Sequence, residues 1–308
     1  RWVKQFGGPD NDEGYGIAAT KDLVYLTGRG SNGLDLGTGA FTGKFKSNVF
    51  IAAFTPAGVA QWAKSFNRNG ADWSYWITAD TNANAYITGY FTAKVDFGGG
   101  DLTADGEDIF VASFDATGAH RWSKGYGSST LDAEDHGESI AVDSQNGCVY
   151  VTGYRSGPID FGGGLMPHHG SKDIFVVSLD ATTGAHRWSK GFGSALVDWG
   201  RGISVGPAGN VYLGGFVGGA VDLGGGLLRH SGGYDVLLMS YGSDGAHRWS
   251  TLHGGPYRDL GQGIAVWGTD GVFVTGEFTG NVDFGYGPLT SANITATDVF
   301  LLHRPPGN

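Results

Sequence analysis

Cysteine is almost missing from this chain. Cys148 is the only one, so no disulfide can form within the chain and the redox compartment is left open. Proline is scarce at 9 residues, which excludes a collagen-like chain. Basic residues are few and scattered, with 20 Lys+Arg against 30 Asp+Glu and a net charge of −10, so the footprint of a nucleic-acid binder is absent. A small or cationic partner suits that charge better. No apolar run approaches about 18 residues, so no membrane span is expected. The chain opens at Arg1 without a charged-then-apolar leader, as a processed N-terminus would. A phosphate-cradling glycine loop, a nucleophile elbow and a zinc-binding helix motif are also lacking.

Glycine is what the chain has in excess, at 57 of 308 residues, where an ordinary domain carries about 7%. A glycine inside a helix costs about 1 kcal/mol, so helical folds are disfavoured. The content of 40% hydrophobic and 13% aromatic residues is too high for disorder. These facts predict an all-β protein rich in tight turns.

The chain is periodic. The segment RWVKQFG at its start returns as QWAKSF, RWSKGYG, RWSKGFG and RWSTLHG, with tryptophans at Trp2, Trp62, Trp122, Trp188 and Trp249. Each unit carries a short apolar strand such as the one at Ile17 or Ile140, and then a strand of V-Y-L-T-G type starting at Val24, Ala85, Val149, Val211 or Val272. A polar loop with a D-[FL]-G motif follows, at Asp35, Asp96, Asp160, Asp222 and Asp283. A third strand begins at Asn48, Asp108, Asp173, Asp235 or Asp298, and a tight turn leads to a fourth at the tryptophan. β-branched and aromatic runs between glycine and aspartate support strands throughout. Four strands in each of five units predict a five-bladed β-propeller of four-stranded antiparallel blades, one domain over 1–308. The units run about 3–62, 63–122, 123–188, 189–249 and 250–308 plus 1–7. The chain begins with a fourth strand and ends after a third. The N-terminal strand, Trp2 to Phe6, is therefore expected to complete the last blade beside Val299 to Leu302 and close the ring.

The N-[VA]-Y-[LVI]-T-G strand, at Asn84-Ala85-Tyr86 and Asn210-Val211-Tyr212, together with the D-F-G loop, resembles the bacterial β-propeller repeat proteins of SBBP type. The turns from Asp115 to Trp122 and from Asp180 to Trp188 resemble the tryptophan-docking turns of quinoprotein propellers. That resemblance implies tryptophans packed between neighbouring blades. It does not bring the quinone with it, because no constellation that would contact one is recognisable. It spans essentially the whole chain and speaks to fold more than to function.

The repeat acts as an internal control: a residue type present in every unit builds the unit, and one that varies is a candidate for chemistry. By this test the D-[FL]-G aspartates, the tryptophans and the turn histidines His120, His186 and His247 are structural. The loops entering the first strand share a leading aspartate, at Asp12, Asp72, Asp135, Asp198 and Asp259, and then diverge. Next come Glu13, Trp73, His136, Trp199 and Leu260, and two positions further Tyr15, Tyr75, Glu138, Arg201 and Gln262. The residue opening the long loop after the second strand varies as well: Arg29, Tyr90, Tyr154, Phe216 and Glu277. If the first strand lines the axis, these positions share one face. Aromatics interleaved with charges of both signs there predict a ligand-binding surface.

The third unit carries three extra residues between Trp122 and Ile140, in an acidic loop. No metal or other cofactor is expected; Asp132, Glu134 and Asp135 in that loop are the candidates if calcium is bound instead. The leading function is a non-catalytic, lectin-like recognition module, extracellular or on a bacterial cell surface, that binds a glycan or protein partner at the axial loops. The alternative is a glycoside hydrolase using Glu13, Glu138 and Glu277, since that chemistry needs two carboxyl groups about 5–9.5 Å apart. Oligomeric state and ligand identity are not legible.

Overall fold

A computed structural model describes residues 1–42, 47–66, 70–130, 133–269 and 271–305. Among these residues there is no helix; the regular structure is antiparallel sheet. The chain divides into two compact units, one of Arg1–Val149 with Leu179–Ala185, the other of Tyr150–Ser178 with His186–Asn308. The division runs through the third repeat.

In the first unit, repeat one folds as the strands Glu13–Ala19, Val24–Gly30, Asn48–Phe54 and Ala60–Phe66, hydrogen-bonded in that order. Repeat two does the same with Trp73–Ala79, Ala85–Asp96, Asp101–Phe114 and His120–Tyr126. In the second unit, repeat four is the meander Trp199–Val205, Val211–Val217, Asp235–Tyr241 and His247–His253. Repeat five has three strands, Leu260–Trp267, Gly271–Phe278 and Asp298–Arg304. A four-stranded meander is the construction of a propeller blade.

The middle strands explain why the sequence shows continuous apolar runs instead of alternation. Asn48–Phe54 and Val211–Val217 are buried at every residue, because each has a packed layer on both faces. Between repeats one and two, Tyr25, Val49, Ile51 and Ala53 meet Ile77, Ile87, Phe110 and Ala112. In the second unit Tyr212, Val236 and Leu238 meet Val274, Phe300 and Leu302.

The repeated tryptophans lie across the joints between successive repeats. The indole N–H groups of Trp2, Trp62, Trp122 and Trp188 donate to the carbonyls of Pro56, Ala116, Ala181 and Ser243, at 2.9–3.1 Å. Each ring lies on the glycine of the next repeat's turn. A Cβ at Gly118 would come within 2.7 Å of the Trp62 ring, and one at Gly184 within 2.6 Å of Trp122. That glycine has a positive φ, +80° at Gly118, so it both makes the turn and admits the indole.

Among the described residues the first strand begins at Glu13, and the third strand of repeat five pairs with its second strand. Trp2 has the partner its sequence motif has elsewhere, the turn of the next repeat, and Phe6 packs on Phe54 with ring centroids 5.5 Å apart. Val299 and Leu301, on the third strand of repeat five, are 80% and 74% exposed.

Trp122 is only 6% exposed. Its replacement by alanine removes a large ring from a closed joint and should lower stability by about 3–5 kcal/mol. Urea unfolding of Trp122→Ala checks this; an unchanged midpoint would mean that the joint does not depend on the ring.

Candidate functional site

The invariant residues turn out to be the frame that holds the variable ones. The Asp259 carboxylate accepts the Gly255 N–H at 2.7 Å and the Thr279 N–H at 2.9 Å. Asp12 accepts Gly8 and Ser31 N–H in the same way, both at 2.6 Å. Asp198 accepts the N–H groups of Ser194 and Gly218. Each aspartate thus ties the loop entering the first strand to the backbone just after the second. Asp72 makes the second of these bonds, from Thr92, and Asp135 the first, from Ser128.

The five D-[FL]-G aspartates are occupied locally, as Asp96 accepting the N–H groups of Gly98 and Gly100 and Asp283 those of Gly285 and Gly287 illustrate. His120, His186 and His247 lie over these glycine loops and reach Ser123, Ser189 and Ser250 at 3.1 Å. Among the described residues no group of three metal-ligating side chains forms. Of the calcium candidates, Asp132 falls outside the described residues. Asp135 is the buried backbone tie, and Glu134 is exposed in a short bridge to Glu107.

A β-bulge aims the variable residues. In the first strand the register slips between Gly14 and Gly16, Ser74 and Trp76, Gly200 and Gly202, and Gly261 and Gly263. The extra residues are therefore Tyr15, Tyr75, Arg201 and Gln262, four of the variable positions. Opposite each bulge lies the last glycine of the V-Y-L-T-G strand. A Cβ on Gly89 would stand 1.8 Å from the Trp73 carbonyl oxygen, so only glycine fits. A bulge redirects one side chain without disturbing the rest of the ladder.

In the first unit these positions converge. Tyr15, Trp73, Tyr90 and His136 form a continuous stack, with centroids 5.9, 5.9 and 4.1 Å apart and interplanar angles of 18°, 28° and 9°. Tyr75 meets Tyr15 and Trp73 edge-on. The Arg29 guanidinium lies 4.2 Å from the Trp73 ring centre and is ion-paired with Glu13, which also accepts the Tyr15 hydroxyl. Hydrogen bonds from Arg29 and then Tyr15 hold the Glu13 pKa below the usual carboxylate range. Burial, followed by the Glu13 hydrogen bond, pushes the Tyr15 phenol up to about 12. Burial and Glu138 raise Tyr75; burial and Glu107 raise Tyr90. His136 sits between two acids, with Nε2 2.6 Å from Glu107 and Nδ1 4.0 Å from Glu138.

In the second unit Tyr154 meets Trp199 edge-on at 4.4 Å, and Phe216 packs at 5.9 Å from Trp199. Arg201 lies 3.8 Å from the Trp199 ring centre, and the Lys172 ammonium lies 4.1 Å from Tyr154 and 5.3 Å from Trp199. Glu277 pairs with Arg258 at 3.3 Å, and Gln262 is exposed. The three acids of the hydrolase alternative are thus each engaged by a basic or imidazole group.

Three residues at these clusters escaped the sequence reading: Glu107, Lys172 and Tyr234. All stand just before the aspartate that opens the third strand. A parallel bridge fixes each beside the next repeat's entering loop, in the pairs Glu107–Glu134, Lys172–Val197 and Tyr234–Arg258. The position also varies between repeats, so the internal control could have found it.

No family model matches the chain. The chain is 23% identical over 322 residues to an uncharacterized WD repeat-containing protein, L264, of Acanthamoeba polyphaga mimivirus. That match takes in 82% of this chain and 23% of the viral protein, so the chain spans about a quarter of that relative's length. Among solved structures, the extracellular domain of BT4673 from B. thetaiotaomicron is similar at a TM-score of 0.41 and 11% identity, covering 86% of this chain and 26% of that one. BamB from Moraxella catarrhalis is similar at a TM-score of 0.37 and 13% identity, covering 85% and 80%.

The buried aspartates make stability depend on pH. Burial raises Asp72 to about 7 and, with repulsion from Asp135 and Asp105, Asp108 to about 7. Asp198, Asp235 and Asp259 move up for the same first reason, against the pull of their backbone N–H partners. A carboxyl whose folded pKa exceeds its unfolded value of about 3.9 holds an extra proton in the folded state between those two values. Stability therefore falls as pH rises from about 4 to about 7. Urea midpoints should be lower at about pH 8 than at about pH 5. Asp72→Asn, which keeps an acceptor for Thr92, should narrow the difference.

Proposed function

We propose that this chain is a non-catalytic recognition module of a bacterial surface or exterior, a five-bladed β-propeller that binds a glycan on the ring face of its first unit. The stack from Tyr15 to His136 carries the reading. Tyr15, at its end, is 37% exposed and offers a flat apolar surface to the C–H face of a sugar. The Arg29–Glu13 pair beside it supplies donors and acceptors for hydroxyl groups. No helix among the described residues is long and apolar enough to cross a membrane.

Hydrolysis is the weaker reading of the same face. A glycosidic general acid needs a raised pKa, whereas Arg29 pulls Glu13 down.

A glycan array followed by calorimetry tests the proposal. The parent protein should bind a defined oligosaccharide without cleaving it. Tyr15→Ala, a change at an exposed ring, should weaken that binding about tenfold with the melting temperature unchanged. A blank array, release of shorter products, or equal binding by Tyr15→Ala would each overturn the reading. Capture of a protein partner through the same residues would replace the glycan with that partner.

A further inference from the structure

The residue that follows the bulge in the first strand is small in four repeats: Gly16, Ser139, Gly202 and Gly263. In repeat two it is Trp76. Crowding explains two of the small ones. A Cβ at Gly16 would stand 3.0 Å from the backbone nitrogen of Ile77, and one at Gly202 3.0 Å from the Ile264 side chain. At those joints the first strand of the next repeat fills the place. An indole is therefore not what the scaffold asks for at this position. Trp76 is 47% exposed, so the joint does not bury it either.

A second irregularity falls at the same joint. The loop that enters repeat three carries the three extra residues, and His136 and Glu138 follow it on the first strand. Trp76 is also the chain neighbour of Tyr75, whose ring lies 5.8 Å from Tyr15 and 6.0 Å from Trp73. We infer that Trp76 is a second stacking platform of the face that Tyr15 begins, and that the ligand is a neutral β-1,4-linked oligosaccharide long enough to reach both. The inference rests on the glycan reading above and adds the class of glycan.

Surface chemistry supports both parts. Single exposed apolar residues are ordinary; what singles out Trp76 is that the four equivalent positions do without a large side chain. An indole is rigid, flat and apolar with one polar edge, which suits the C–H face of a pyranose. A β-1,4-linked glucose chain carries its ring substituents equatorially. Every ring then offers C–H groups on its flat faces, and separate rings can engage separate platforms. Glu13, which accepts the Tyr15 hydroxyl, and Glu138, beside His136, stand at the margin of the rings and disfavour a sugar acid.

The test is calorimetry with cello-oligosaccharides, from cellobiose to cellohexaose, on the parent protein, Trp76→Ser and Tyr15→Ala. The parent should bind cellohexaose about tenfold more tightly than cellobiose. Trp76→Ser, which installs the residue of repeat three, should melt no lower than the parent. It should lose the advantage of the longer sugar and keep the parent's affinity for cellobiose. Tyr15→Ala should weaken binding of every member. Hydroxyl-radical footprinting of the parent gives a second readout: cellohexaose should shield Trp76 and leave Trp267, 75% exposed in the second unit, unchanged. Equal affinities of Trp76→Ser and the parent across the series, or no shielding of Trp76, overturn the inference and leave the glycan reading standing. Tighter binding of oligogalacturonate than of cellohexaose overturns the neutral class. A parent that binds no member of the series also overturns the inference, and the glycan reading falls with it only if the glycan array is blank.

Discussion

An aspartate that accepts backbone N–H groups from two segments at once is the constraint on which the face of variable residues depends. At Asp12, Asp198 and Asp259 one oxygen holds the loop entering the first strand and the other holds the chain leaving the second strand. Two loops that would otherwise be independent become one rigid edge. The arrangement takes a carboxylate out of water, and burial pushes the Asp198 and Asp259 pKa values upward even though two N–H groups favour the charged form. Only because this tie is repeated can the residues beside it vary without the loops changing shape.

The second requirement is steric. The bulge in each first strand puts a carbonyl oxygen where the neighbouring strand's Cβ would be, about 2 Å away at Gly28, Gly215 and Gly276. Glycine there is not a matter of flexibility; any side chain collides with the backbone. The bulge leaves one residue per repeat outside the ladder, and Tyr15, Tyr75, Arg201 and Gln262 occupy that place with four different chemistries. Glycine enrichment and chemical diversity at the face are thus two results of one backbone feature.

On that common frame the two units present different surfaces. The first gathers stacked rings with Glu13, Glu107 and Glu138 at their margins, and the single guanidinium of Arg29 is already paired. The second gathers fewer rings and places Lys172 and Arg201 on them.

Much of this was legible in the chain itself. The period of the tryptophans, the V-Y-L-T-G strands and the D-[FL]-G turns are local patterns, and local hydrogen bonding and strand propensity decide them. The variable positions could be singled out because the repeats control for one another, and in the first unit Tyr15, Arg29, Trp73, Tyr75, Tyr90, His136 and Glu138 do come together. Glu107 and Lys172 did not announce themselves, since a bridge between segments about 25 residues apart places them at the face. The sequence motif of Trp2 identified what kind of partner it takes, and the structure decided which one: the turn at Pro56. Sequence alone determined which residues form strands and turns and which are free to vary. Tertiary structure decided which of them touch, because that depends on backbone pairings between distant segments whose energies are nearly equal for several partners until packing selects one.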